Sequence, residues 1–290
     1  MAERWEPIRK DKLFFFGDWE RTTQRQFAFR TLTVPTAAIR SGDFSAFPTT
    51  IYDPNTGNAD GTARSQIACN GALNVICPGR IDPAAAKLIS LIPSPNLPGE
   101  TNNYFATGNA QFTRDNFDVK INYVPSQKSM VFGRYSFSRS HIFDPPALGP
   151  AGGDATAGGQ QGNADSRIQN VGLGATYSFA PAVLADWNFG FTRQRLNAQD
   201  VDINQNFGLD TLKIPGTNGA DPLQGGVPFF SFTTYSNLGN SSTGNPFLFR
   251  DNQWVSNANL SWIKGKHGFR FGIEYNRAGI NHFQPQGGTF

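Results

Sequence analysis

The scarcities of this chain narrow its class. Its 290 residues hold two cysteines and three histidines. No apolar run reaches the ~18 residues of a membrane-crossing helix, and mean hydropathy is -0.40. A helical membrane protein is therefore excluded. The formal net charge is only +3, with no dense basic run, so nothing calls for a nucleic-acid partner. His141, His267 and His282 fall at separate loop and turn positions. They form no metal spacing and sit beside no nucleophile pair. Cys69 and Cys77 lack a neighbouring histidine and make a poor metal site. Neither enzymatic activity nor a cofactor is expected. The opening MAERWEPIRKDK lacks the succession of a secretory signal, and the closing NHFQPQGGTF stops in a Gly-rich stretch just after a strand. The expectation is a piece of a longer exported protein, cut at both ends.

What is present is aromatic and glycine-rich: aromatics are 13% and Gly 31. A spanning β-sheet sets only every second residue against lipid, so it keeps ordinary average polarity while enriching both. The stretch from Ile168 to Arg195 shows the pattern. Val171, Leu173, Tyr177 and Phe179 alternate with Asn170, Gly172, Gly174, Thr176 and Ser178. After Ala180-Pro181-Ala182, Val183, Trp187, Phe189 and Phe191 alternate with Asp186, Asn188, Gly190 and Thr192. A period of two across a tight turn is a β-hairpin. Its second face is largely small or uncharged rather than rich in Lys and Glu, which suits an enclosed interior. Each arm matches the ~9 to 11 residues of a tilted membrane-crossing strand.

The rest of the chain repeats this unit. Lys12 to about Arg30 reads as one long strand, or two separated by a bend. Hairpins follow at 115–139, turning at Pro125-Ser126-Gln127-Lys128, and at 251–277, turning at Lys264-Gly265-Lys266. Long loops run from Thr31 to about Ala110, Ser140 to about Ser166, and Leu196 to about Phe249. The second contains AGGDATAGGQQGNAD, read as too glycine-rich to hold a core and mobile. The first contains one helix, in which Asp82 caps, Pro83 starts, and Pro93 and Pro95 terminate. Long and short connections alternate strictly, as in outer-membrane barrels. Tyr123, Phe179 and Trp262 beside the short turns fit an interfacial girdle. The fold expected is all-β: about seven strands of a larger antiparallel transmembrane barrel with long extracellular loops, spanning 1–290 as one partial domain.

Several side chains bear on function. Cys69 and Cys77, in CNGALNVIC, are read as a local disulfide in preference to free thiols, because an exported loop lies in an oxidising compartment. Asp53-Pro54-Asn55-Thr56-Gly57-Asn58 resembles a calcium loop but has Asn58 where glycine belongs and Arg64 at the twelfth position, so an Asp-Pro turn is preferred. Gly172-Leu173-Gly174 fails as a dinucleotide fingerprint, since Tyr177 replaces the third glycine. Lys120, Arg134, Arg270 and Glu274 face inward, either solvated in a lumen or paired with a plug. Phe229, Phe230 and Phe232 are ligand contacts or loop packing.

EPIRKDKLFFFGDWE (6–20), TVPTAAIRSGDFS (33–45), IYDPNTG (51–57) and RIDPAAAKL (80–88) together resemble TonB-dependent outer-membrane receptors, most closely the Oar-like branch with a carboxypeptidase-regulatory-like module. The resemblance implies a 22-stranded barrel in the Gram-negative outer membrane and an extracellular ligand. It also implies coupling to the TonB–ExbB–ExbD system through a plug. No TonB box, plug or terminal aromatic strand is visible, and PIRKD resembles a periplasmic turn below a rising strand. A passive porin-like channel and a secreted β-rich adhesion or glycan-binding protein are the alternatives.

Overall fold

The computed structural model describes residues 2–240 and 246–284, with side chains from residue 9 onward. In chain order it contains β1 (Ala2–Arg9), β2 (Leu13–Leu32), α1 (Ala37–Arg40), β3 (Ala68–Cys69), β4 (Ala72–Leu73) and α2 (Pro83–Leu91). Then come β5 (Tyr104–Ser126), β6 (Ser129–Asp144), β7 (Gly162–Ala180), β8 (Val183–Gln199), β9 (Phe247–Lys264), β10 (His267–Gly279) and β11 (His282–Phe283). The long strands form one antiparallel sheet in the order β1-β2-β5-β6-β7-β8-β9-β10, with β11 on the upper part of β9. Each long strand thus lies beside its predecessor, an up-and-down wall. Among the described residues β1 and β10 each have a partner on one side only.

The eighth long strand, β1, is the departure from the expected count. Its charged residues and Pro7 break the period of two that marks the other strands. Proline is tolerated at a sheet edge, and the register of β1 against β2 shifts between Pro7 and Arg9. The turn after it, at residues 10–12, falls where PIRKD placed one. β2 is a single strand of 20 residues without a bend.

Register fixes two faces. One row runs through Trp19, Phe117, Phe137 and Gln169, and the next toward the short turns through Gly17, Val119, Tyr135, Val171, Phe191 and Trp254. Further rows toward the short turns hold Leu173 beside Phe189 and Leu260 beside Phe271. On this face β2 and each long strand from β5 to β10 carry apolar groups over seven to nine residues, about 23 Å of height for nine residues at a tilt near 40°. The opposite face holds Asn116, Asp118, Ser136, Asn170, Thr192 and Asn257. Small residues there leave room: a Cβ on Gly174 would meet the Phe132 ring.

The buried core lies in the loops. Leu32, Val34, Leu88, Ala106, Leu148, Leu212 and Leu238 pack together, drawn from all three long connections and the strand ends below them. The glycine-rich second loop is part of this core, contrary to the expectation that it could hold none. Ala151 and Ala155 are 0% exposed. Its small residues are the means of packing: Gly152 pairs with Gly239, whose backbone leaves no space for a Cβ. Gly153 N–H donates to Gly239 O at 2.8 Å, and Gly239 N–H to Ala151 O at 2.7 Å.

This loop leans over the polar face. A Cβ on Gly108 would strike Thr156 and Pro145, while Phe27 and Phe29 on the apolar face stay more than 60% exposed. The polar face is therefore the covered side, and the aromatic face the open one.

Candidate ligand cavity and polar face

Two ends of the first loop meet because short local rules hold. Asp82 accepts hydrogen bonds from Ala84 N–H at 2.8 Å and Ala85 N–H at 3.3 Å, capping α2, and Pro83 fills its first turn. The Arg40 guanidinium, at the end of α1, then donates to the carbonyls of Ile89, Ile92 and Pro93 at 3.1, 3.0 and 2.6 Å. Ile89 O also accepts from the Ile92 N–H, while the Ile92 and Pro93 carbonyls lie at and just past the helix end, where a cation suits the negative end of the helix dipole. Burial holds the Arg40 pKa below its ordinary value. Asn103, fully buried, accepts from Val34 N–H at 2.8 Å and donates to Val34 O at 2.9 Å, locking the start of the loop to its return.

Between this frame and the third loop lies a cavity of about 710 Å³. Ile39, Leu88 and Ile92 line one side, and Ile214, Phe230 and Phe232 the other. Polar groups are few. Ser236 is tied to Thr33 by paired hydrogen bonds of 3.0 Å and Asp82 caps α2, leaving Lys213 and the Tyr235 hydroxyl, whose pKa burial raises with the Glu100 charge as a lesser cause. The chemistry suits a ligand with a substantial apolar surface. Of the three loop phenylalanines singled out from the sequence, Phe230 and Phe232 line this cavity and Phe229 does not. The aliphatic wall contributed by TVPTAAIR and IDPAAAKLISLI was missed; their shared spacing of Ile and Leu around a small helix was the available signal.

The polar face carries a ladder of hydrogen bonds from strand to strand. Asp118 accepts from Arg134 at 2.5 Å and also from Ser136. Ser138 donates to Asn116 at 2.7 Å, Thr192 to Asn170 at 2.7 Å, and Asn259 to Asp186 at 2.7 Å. Lys120 lies opposite Arg134 with its ammonium over the Phe132 ring at 5.2 Å. Arg270 and Glu274 share the same face but stand on β10, opposite Ser261 and Asn257. They are five strands away from Lys120, so the four inward charges form two groups rather than one site.

Cys69 and Cys77 are disulfide-bonded. They staple the β3-β4 hairpin, whose Asn70-Gly71 turn has both residues at positive φ, 51° and 86°, the pairing that tight hairpins prefer. Asp53 accepts from Asn55 N–H at 3.0 Å and from Arg80 at 2.7 Å, forming a turn and an ion pair. The backbone bond first, and Arg80 next, lower its pKa. The histidines lie on strands rather than in loops. His141 sits on β6 beside Asp165 at 3.1 Å, His282 on β11 against Asp251 at 2.8 Å, and His267 opens β10. Among the described residues no group of His, Cys, Asp or Glu is placed to hold a metal ion.

A family model described as an outer membrane beta barrel domain matches residues 7–290. No curated protein and no solved structure matches the chain.

Proposed function

Because the chain belongs to the outer membrane beta-barrel domain family and so lies in the outer membrane, we propose that it is part of the wall of a ligand-uptake receptor, coupled to TonB. The carrying observation is the cavity between the first and third loops, which gives the loop end an apolar binding surface. The four sequence segments resembling TonB-dependent receptors support the energy-coupled form of this reading. The polar face, with its hydrogen-bonded Asn, Ser and Thr, provides the hydrophilic passage or plug contact such transport requires.

A passive channel shares the wall but not the dependence on energy. The two separate in cells with and without the full-length gene, each with and without TonB, by following depletion of solutes from the medium with mass spectrometry. Energy-coupled uptake predicts solutes depleted only when both gene and TonB are present. Depletion that persists without TonB would replace the receptor with a channel.

A further inference from the structure

At the loop end of the open, aromatic face the continuous apolar band stops and on β6 to β9 arginine takes over, while Phe27 and Phe29 return higher on β2. Arg21 on β2, Asp115 on β5, Arg139 on β6, Arg167 on β7, Arg195 on β8 and Arg250 on β9 stand directly opposite one another in a single register row. Arg193 lies two residues below Arg195 on the same face, opposite Gln169 and Asn252. Arg21 has Asp115 at 3.6 Å. Asp165, which lines the same recess, is engaged by His141 at 3.1 Å. Among the described residues Arg139, Arg167, Arg195 and Arg250 have no ion-pair partner; Arg250 donates only to the carbonyls of Leu196 and Phe249. The Arg195 Nε is buried without a hydrogen-bond partner. A recess of about 340 Å³ is lined by these four arginines with Asp165, Ser166 and Asn197.

Like charges directly opposite on paired strands are destabilising, since neighbouring strands run only about 5 Å apart. Four such cations abreast call for an anion between them. Their position says which one. They share the face of Val171, Phe191 and Trp254, and sit one strand-width band above the aromatics beside the short turns, where an outer-membrane wall leaves the hydrocarbon on its outer side. Within the band the last apolar residues are Trp19, Phe117 and Phe137 on β2, β5 and β6, and one row lower Val171, Phe191 and Trp254 on β7 to β9. We propose that Arg139, Arg167, Arg195 and Arg250 bind the phosphate groups of a phosphorylated lipid in the outer leaflet. The planar guanidinium matches phosphate oxygens in a two-point fashion, and acyl chains of the same molecule would lie along Val171, Phe191 and Trp254 below. The inference rests on the wall's placement in the membrane, not on uptake or TonB.

The test uses the full-length protein, delipidated in detergent and titrated by native mass spectrometry with three probes: bisphosphorylated lipid A, phosphatidylcholine and inorganic phosphate. The variants are Arg167→Gln with Arg195→Gln, and Arg167→Lys with Arg195→Lys, each checked for a heat-shifted gel band. The expected result is lipid A bound in preference to both other probes, a loss of about tenfold or more in the Gln pair, corresponding to roughly 1.4 kcal/mol, and partial retention in the Lys pair. Equal binding of phosphatidylcholine, equal binding of inorganic phosphate, or undiminished lipid A binding by a folded Gln pair would each overturn it.

Discussion

Asn103 joins two distant segments through one amide, with its oxygen taking the Val34 N–H and its nitrogen giving to the Val34 carbonyl. Replacing it by Leu leaves two buried backbone groups unpaired, a cost of about 3 kcal/mol, and loosens the frame of the cavity. Limited proteolysis of the folded variant should cut first within residues 33–103. Asp53 sets a second expectation, for pH. Its folded pKa is depressed by Asn55 N–H and Arg80, and those of Asp43 and Asp60 by hydrogen bonds from Ser45 and Thr62. A carboxyl group lowered on folding contributes stability that is complete above its unfolded pKa, about 3.9. That contribution is lost as pH falls through the lower folded value. The first loop should therefore resist protease unchanged above about pH 5 and open in stronger acid, with Asp53→Asn flattening part of that response. The Asp82 cap was legible from its neighbours alone, because a cap acts within one turn. Asn103 was not, since its partner is 69 residues away.

Strand periodicity made the hairpins legible, and the reason is physical: a face bathed in lipid must be apolar at every second residue, whatever else the sequence does. Leu173 stands mid-band beside Phe189, so Leu173→Arg should cost about 2 to 4 kcal/mol in equilibrium unfolding from lipid vesicles. Asn170→Lys, on the polar face of the same strand, should cost much less. β1 escaped notice because an edge strand with Pro7 and several charges has no such periodicity to show. The glycine-rich second loop was misjudged for the converse reason. Composition favours disorder, yet Gly152 and Gly239 exploit the absence of Cβ to bring two backbones together. The arginine row was invisible in sequence because Arg139, Arg167, Arg195 and Arg250 are spread over more than 100 residues and meet only through register.

Taken whole, the molecule is a wall with a structured cap. The sheet's aromatic face lies open, its polar face is hydrogen-bonded from strand to strand, and the three long loops share one core at a single end. The alternation of long and short connections announced that asymmetry. That the loops pack into a cavity rather than hang free depends on Arg40, Asn103 and the small residues of the second loop, which no periodicity marks. Site-directed labelling tests the orientation of this wall most directly. Intact cells carrying single cysteines at Thr62, in the first loop, or at Gln127, in a short turn, are treated with a membrane-impermeant maleimide; Cys69 and Cys77, being disulfide-bonded, should stay silent. With the long loops outside, Thr62→Cys is labelled in intact cells, and Gln127→Cys only after the outer membrane is permeabilised. Labelling of Gln127→Cys from outside, with Thr62→Cys protected, would contradict it.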